Sequence, residues 1–151
     1  MAYYFSYDIK GLYAELQKNT DSHLLYDESH LHATILYVND NYKEGNNTIS
    51  FPNRTTTIKD IQIWATEHNN FYLVAVLDDP ESNLKKTHEE LKALTNTVDE
   101  RGLNPHISLQ KTKLKEGLMS PENLQGLIGL EVELYNFRCI FPKAKSIIPK
   151  L

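Results

Sequence analysis

The sequence predicts an α+β fold in which two similar lobes flank one cleft. Most of its patterned segments alternate apolar and polar residues, as half-buried strands do. One longer segment instead has the three-to-four-residue spacing of an amphipathic helix. Each half also contains a strand in which a hydroxyl residue follows a histidine two places later, beginning at His32 and at His106. No linker or change in composition divides the chain, so we expect residues 1–151 to form a single domain.

The first half is predicted to hold two strands, one short helix and a loop. Residues 3–9 alternate and are rich in aromatic residues, which is typical of a strand, and residues 11–19 predict a short helix. Residues 32–38 predict the next strand, and the Asn-rich stretch 39–47 predicts a loop. Strict alternation would place four residues of the second strand on one face: His32, Thr34, Leu36 and Val38.

The middle of the chain predicts a hairpin. Residues 55–66 are rich in β-branched residues, and Trp64 lies on the face opposite Ile61 and Ile63. Residues 69–79 are apolar on both faces, as expected of the hairpin partner in the middle of a sheet.

A helix is predicted after this hairpin. Asp79 is placed to be its N-cap, Pro80 its first residue and Gly102 its C-terminal stop. Four apolar residues at helical spacing form the predicted buried stripe: Leu84, Leu91, Leu94 and Val98.

The last part of the chain predicts a second histidine strand, a short helix and a final strand. The helix is expected to begin at Ser120 and Pro121 and to continue to Gly129. Residues 130–141 then alternate. One face of this strand is aliphatic, and the other is predicted to hold Glu131, Glu133, Tyr135 and Phe137.

Composition limits the partners. The net charge is −4, whereas affinity for long DNA or RNA depends on many Lys and Arg residues that neutralise phosphates. A small phosphate-containing ligand in a local pocket remains compatible with this charge. With Cys139 as its single cysteine, the sequence predicts no internal disulfide and a reducing cytosol as compartment. Neither end resembles a signal or membrane segment, so no membrane association is expected. We also expect no obligate protein partner.

The repeated motif is the feature that predicts chemistry. Segments His-Ala-Thr-Ile from His32 and His-Ile-Ser-Leu from His106 each combine a histidine, a hydroxyl residue and two apolar residues. Chance would produce roughly 0.1 such segments in a chain of this composition. Since residues i and i+2 of a strand share a face, each motif directs an imidazole and a hydroxyl the same way.

Two such strands facing one another would suit phosphodiester cleavage. One neutral imidazole could accept a proton from a ribose 2′-hydroxyl, and one protonated imidazole could donate a proton to the departing 5′-oxygen. Thr34 and Ser108 could hydrogen-bond the phosphate oxygens. The first product would be a 2′,3′-cyclic phosphate. His30 and His32 could suggest a metal pair, but the sequence places no third ligand beside them, so neither metal nor cofactor is expected.

With these motifs, the chain resembles the 2H phosphoesterase superfamily, whose signature is two His-x-Thr/Ser motifs each followed by an apolar residue. The 74 residues between the two histidines suit its two-lobed members. The resemblance implies two pseudo-twofold-related lobes, with antiparallel strands lining a cleft and helices outside. It also implies that His32, Thr34, His106 and Ser108 are the catalytic residues.

Within that superfamily, the chain is most similar to the phage anti-CBASS nucleases. The resemblance implies a metal-independent enzyme that cleaves the 3′-5′ linkages of cyclic di- and trinucleotide messengers such as 3′3′-cGAMP. Such an enzyme would work in the bacterial host cytosol, where it lets a bacteriophage evade immunity. Aromatic side chains stack on nucleobases and carboxylates accept hydrogen bonds from them. On this basis the candidate nucleotide-binding residues are Trp64, Glu133, Tyr135 and Tyr13.

Alternatives remain open at this level. The same four motif residues would serve a phosphodiesterase for 2′-5′ oligoadenylates or for terminal RNA cyclic phosphates equally well. A non-catalytic nucleotide-binding module is a further alternative, although intact histidines in both motifs favour catalysis. The sequence does not assign the general base and the general acid between the two histidines.

Overall fold

Six antiparallel strands and two α-helices make up the described part of the chain, so the α+β prediction is confirmed. The computed structural model describes residues 3–19, 30–38, 48–66, 69–98 and 102–140, and the predicted loop at 39–47 lies outside these ranges. The strands are β1 (Tyr3–Lys10), β2 (His32–Val38), β3 (Arg54–Ala65), β4 (Phe71–Leu77), β5 (His106–Thr112) and β6 (Glu131–Ile140). The helices are α1 (Tyr13–Asn19) and α2 (Asn83–Thr95). None of these helices is long and apolar enough to cross a membrane.

The strands close into a ring in the order β1-β2-β5-β4-β3-β6. The β3–β4 hairpin forms as predicted, but a closed ring has no edge strands, so this hairpin is not the middle of an open sheet. The chain passes twice through the order strand, helix, strand, strand. Exchanging β1 with β4, β2 with β5 and β3 with β6 leaves the ring order unchanged. The two motif strands are therefore neighbours, joined by the pair Ala33–Ile107.

The largest side chains of the core come from β1, and β4 contributes an unbroken run of buried residues. Tyr3, Phe5 and Tyr7 alternate along β1 and are fully buried. From Leu73 to Leu77 every residue of β4 is buried, which confirms that this strand is apolar on both faces. Burial of each large apolar side chain stabilises the fold by about 1.5–3 kcal/mol.

A β-bulge changes the predicted faces of β2. The register between β1 and β2 shifts after Thr34, which makes Ile35 the inserted residue. The predicted face is therefore wrong beyond Thr34: Leu36 and Val38 turn into the core, whereas Tyr37 is 48% exposed. Tyr37 now lies on the same side of the strand as Thr34.

A second irregularity changes the predicted face of β6. Asn136 has a φ of 52°, a left-handed conformation that Asn tolerates better than most residues, and the register with β1 shifts at this point. Phe137 consequently turns into the core, so its predicted place beside Tyr135 is wrong. Its ring packs against the rings of Phe5, Tyr7 and Phe51.

Helix α2 begins four residues after its predicted N-cap. Ser82 is the N-cap residue in a left-handed conformation, and its side chain forms no capping hydrogen bond. The carboxylate of Asp79 instead accepts hydrogen bonds from the backbone N–H groups of Leu84 (2.9 Å) and Lys85 (3.0 Å). Asp79 therefore stabilises the first turn, as its charge suggests, from outside the helix.

The end of α2 also differs from the prediction. Asn96, with φ 53°, is the C-cap residue, so the helix ends before the predicted stop at Gly102. Leu94 and Val98 are exposed and do not belong to the buried stripe. The buried residues of α2 are Leu84, Thr87, His88, Leu91 and Thr95.

Between β5 and β6 the chain forms two 3₁₀ helices, Lys115–Gly117 and Pro121–Leu127. The second replaces the short helix predicted to reach Gly129. Its predicted start is confirmed, since the Ser120 hydroxyl accepts a hydrogen bond from the backbone N–H of Glu122.

Candidate functional site

The two motifs meet where β2 and β5 pair. Ala33 and Ile107 stand opposite each other, and both side chains are fully buried on the core side. The residues on either side of them therefore point to the other face of the sheet. In this antiparallel register each histidine stands opposite the hydroxyl residue of the other motif, and residues so placed have Cβ atoms about 5 Å apart. The four half-buried side chains brought together are His32, Thr34, His106 and Ser108.

The two histidine rings are held in the same way. Nδ1 of His32 lies 2.8 Å from the carbonyl oxygen of His30, and Nδ1 of His106 lies 2.8 Å from that of Asn104. A carbonyl oxygen can only accept, so each Nδ1 carries the proton and donates it. Nε2 of each ring is consequently the atom left to exchange protons with a ligand. His30 and Asn104 occupy equivalent positions, two residues before each motif histidine. Their residue types can differ because each contributes its backbone carbonyl oxygen to this contact.

The hydroxyl groups of the motifs remain open to a ligand. Within the described ranges neither Thr34 nor Ser108 hydrogen-bonds another protein group through its side chain. Both can therefore donate to anionic oxygens at this place without breaking a bond of the fold.

A hydrogen-bonded, buried polar side chain lies at the bulge that follows each hydroxyl residue. On β2, Nδ1–H of the buried His88 donates to the carbonyl oxygen of Ile35 at 2.7 Å. On β5 the register with β4 shifts at Leu109 in the same way. There the buried Gln110 donates to the Gly117 carbonyl and accepts from the Met119 N–H, both at 3.0 Å. The apolar residue that ends each motif is thus the inserted, buried residue of a bulge.

Trp64 covers His106. The two ring centroids are 4.4 Å apart, and the indole Nε1–H donates to Gln62 at 2.8 Å, which holds the ring in place. Burial lowers the pKa of His106, and the nearby His32 lowers it further, whereas the hydrogen bond to Asn104 acts in the opposite direction. Burial therefore favours the neutral form of the His106 ring in the free protein.

His32 has different neighbours. The ring of Tyr4 lies 5.7 Å from that of His32, and Tyr4 stacks in parallel on Tyr37 at 6.0 Å. Asp8 stands opposite His32 on β1. The two halves of the site are thus alike in backbone geometry but differ in their surroundings, because His106 packs under an indole and His32 beside a phenol and a carboxylate.

An open groove of about 250 Å³ adjoins the site. Its lining includes Thr34 and Tyr37 from β2, and Asn104 and His106 from the start of β5. A ligand bound between the histidines can therefore extend into this groove and lie against the exposed tyrosine.

The predicted nucleotide-binding residues lie at different distances from the motifs in the ring of strands. Trp64 contacts His106 directly. Tyr135 stands opposite Asp8, which in turn stands opposite His32, and Glu133 lies one step further, opposite Lys10. Tyr13 packs against the hydrophobic core, and no contact of its side chain with the motif residues is seen in the described ranges.

No protein-family model matches this chain, and no curated protein is significantly similar to it. The chemistry of the site therefore has to be inferred from its own residues. Within the described ranges no cluster of three or more His, Cys, Asp or Glu side chains is arranged to hold a metal ion.

Several residues at this site, among them Tyr4 and Asp8, are not among the residues predicted from the sequence. Tyr4 and Asp8 share the polar face of β1, and that alternation is visible in the sequence. Asp8 also binds Arg138, at 2.8 Å, and Asn136, at 2.8 Å. These partners come from the other end of the chain, so no local pattern indicates their contact.

Proposed function

We propose that this protein is a metal-independent phosphodiesterase with the two-lobed architecture of the 2H superfamily. Its substrates are cyclic di- and trinucleotide messengers with 3′-5′ linkages, such as 3′3′-cGAMP. By linearising them in the cytosol of a bacterial host, the enzyme silences CBASS defence on behalf of a bacteriophage. The repeated strand-helix-strand-strand order around one pair of motif strands supports the architectural part of this proposal.

One observation carries the catalytic part: the two motif histidines have the same Nδ1–H to carbonyl hydrogen bond, at 2.8 Å, on two adjacent strands. This arrangement leaves two Nε2 atoms available to a ligand, with the two motif hydroxyls on the neighbouring positions. Phosphodiester cleavage by a 2′-hydroxyl needs one proton acceptor and one proton donor at the phosphate, and two imidazoles can fill these two roles.

The reaction follows from these atoms. One Nε2 removes the proton of the ribose 2′-hydroxyl, O2′ forms a bond to phosphorus, and the bond from phosphorus to O5′ breaks. The second Nε2 supplies a proton to O5′. Thr34 and Ser108 donate hydrogen bonds to the two non-bridging oxygens, whose negative charge grows in the transition state. The products are a new 5′-hydroxyl and a 2′,3′-cyclic phosphate.

The surroundings of the histidines favour His106 as the base. The base must be neutral before it can accept a proton, and burial beneath Trp64 lowers the pKa of His106. His32 then has the role of the acid. This assignment places the attacking ribose on the His106 side and the departing 5′-oxygen on the His32 side.

The aromatic residues around the site support a nucleotide as substrate. Trp64 lies at one histidine, and Tyr4 with its stacked partner Tyr37 lies at the other. Nucleobases attached to a phosphate between the histidines could stack on these rings, each stack contributing about 1–3 kcal/mol.

The experiment is to incubate the protein, with EDTA present, with 3′3′-cGAMP, a cyclic trinucleotide and a 2′-5′ oligoadenylate. The proposal predicts turnover of the cyclic 3′-5′ compounds and a loss of about 10²- to 10⁴-fold in His32→Ala and in His106→Ala. Lys86→Ala, on the exposed side of α2, is the control and should retain full activity. Turnover that needs a divalent metal, or that survives both histidine substitutions, would overturn the proposal. Preference for 2′-5′ oligoadenylate would reject the cyclic substrate class.

A further inference from the structure

Arg138 lies in the same row of residues as a motif hydroxyl. It stands opposite Ser6 of β1, and Ser6 stands opposite Thr34 of β2. Residues directly opposite each other in antiparallel strands share a face, so Arg138 belongs to the face of the site, two strands from Thr34. Ser6 has a short side chain, so the residue that stands between Arg138 and Thr34 does not itself project far from the sheet, and its neighbours bury it fully.

Asp8 holds the guanidinium in place. Its Oδ1 accepts a hydrogen bond from Nη2 of Arg138, and its Oδ2 accepts one from the Asn136 amide, both at 2.8 Å. Nδ1 of the neighbouring His32 already donates to a backbone carbonyl. Asp8 is thus the anchor of Arg138 rather than the orienting group of His32.

Asp8 is the one hydrogen-bond partner of the guanidinium seen among the described residues. The Arg138 side chain is 50% exposed, and a guanidinium has five N–H donors, of which Asp8 takes one. Burial raises the pKa of Tyr4, and the positive charge of Arg138 lowers it in opposition. The register agrees with this influence, since Tyr4, whose ring lies beside His32, is two residues from Ser6, the residue opposite Arg138.

The other half of the site has no such cation at the equivalent position. There Ser108 stands opposite Val74, and Val74 stands opposite Gln62, whose amide accepts the Trp64 N–H. Gln62 is therefore the counterpart of Arg138. Of these two equivalent positions, the one on the His32 side of the site holds the cation.

We propose that Arg138 binds a second phosphate of the substrate, the one attached to the 3′-oxygen of the nucleoside whose 5′-oxygen departs. This inference rests on the proposed function and narrows its substrate class. With the scissile phosphate between the histidines, the departing nucleoside lies on the His32 side, and so does its 3′-phosphate. Two strand spacings, roughly 10 Å, separate the backbones of Arg138 and Thr34. The long arginine side chain can cover part of this distance, which suits consecutive phosphates of a nucleotide chain.

Recognition of a second phosphate discriminates between the substrate classes. Cyclic di- and trinucleotides always present a 3′-phosphate on the departing nucleoside. A terminal 2′,3′-cyclic phosphate and a dinucleoside monophosphate do not. Arg138 thereby directs the enzyme towards oligonucleotides with consecutive phosphates.

The experiment uses three linear substrates that differ in one phosphate. ApA has only the scissile phosphodiester, ApAp adds a 3′-phosphate on the departing side, and pApA adds a 5′-phosphate on the other side. The kcat/KM of the native protein and of Arg138→Gln is measured for all three and for 3′3′-cGAMP. Lys86→Gln removes the same charge from an exposed helix position and serves as control.

The proposal predicts that Arg138→Gln lowers kcat/KM for ApAp and for 3′3′-cGAMP by about tenfold to a hundredfold, mainly through KM. ApA and pApA should be unaffected, and Arg138→Lys should restore part of the loss. Equal losses on all substrates, or a loss specific to pApA, would overturn the proposal. If the native protein cleaves none of the substrates, the proposed function itself fails. Active native protein with an unselective Arg138→Gln variant rejects the role of Arg138 alone.

Discussion

Replacing the motif hydroxyls tests whether they hold the phosphate. In Thr34→Val the hydroxyl is exchanged for a methyl group of similar size, and in Ser108→Ala the hydroxyl is removed. Within the described ranges neither hydroxyl bonds another protein group, so the fold loses no hydrogen bond in either variant. The free energy of unfolding should therefore change by no more than about 0.5 kcal/mol.

Activity should respond much more strongly than stability. A hydrogen bond to a charged oxygen contributes about 1.5–3 kcal/mol, so each substitution should lower kcat/KM by about tenfold to about 150-fold. Since both hydroxyls hold one phosphate, the losses in the double variant should not simply add. Hydrolysis of 3′3′-cGAMP, followed by ion-exchange chromatography with EDTA present, gives the rates, and urea unfolding gives the stability.

Thr57→Val is the matched control, because Thr57 is a half-buried threonine on β3 outside the site. Its activity should equal that of the native protein. Unchanged kcat/KM in both motif variants would refute the reasoning. So would a fall in stability large enough to account for the lost activity.

Three further outcomes follow from the structure. Because the base must be neutral and burial lowers the pKa of His106, the acidic limb of kcat/KM against pH should lie below the ordinary histidine value of about 6.5. Trp64→Leu exposes His106 and should move this limb to higher pH. An acidic limb that does not move would reject His106 as the base. His88→Leu removes the donor to the Ile35 carbonyl and should lower the free energy of urea unfolding by about 1–3 kcal/mol, part of which His88→Asn should recover. Equal stability of the two variants would contradict a stabilising hydrogen bond from His88. Asn96 has φ 53°, a left-handed conformation that valine adopts only with strain and glycine adopts freely. Asn96→Val should therefore destabilise the protein by about 1–2 kcal/mol, whereas Asn96→Gly should not. Equal melting temperatures of the two variants would argue against strain at this C-cap.

The elements and the motif residues could be predicted from local patterns. Alternation located the strands, and the two-residue repeat of a strand placed His32 with Thr34 and His106 with Ser108 on one face. The order of elements repeats along the chain, but the exchange symmetry of the fold also depends on which strands pair.

The positions of the β-bulges could not be predicted from local sequence patterns. An inserted residue such as Ile35 reverses the faces of the rest of its strand without any change in composition, so Tyr37 and Phe137 were assigned to the wrong sides. The prediction of Asp79 as N-cap was wrong for a related reason, because Asp79 hydrogen-bonds the first turn of α2 from four residues before the helix.

Long-range contacts were not predictable either. Asp8 and Arg138 are 130 residues apart, and only the pairing of β1 with β6 brings them together. The differing neighbours of the two histidines also depend on strand order, since Trp64 reaches His106 across β4.

The most direct measurement of the proposed chemistry is the first product of 3′3′-cGAMP cleavage, formed in water enriched in heavy oxygen and identified by mass spectrometry. Attack by the 2′-hydroxyl, with His106 as base and His32 as acid, predicts a linear product that ends in a 2′,3′-cyclic phosphate and contains no solvent oxygen. A first product with heavy oxygen on phosphorus would mean that water attacks directly, which would contradict the proposed mechanism.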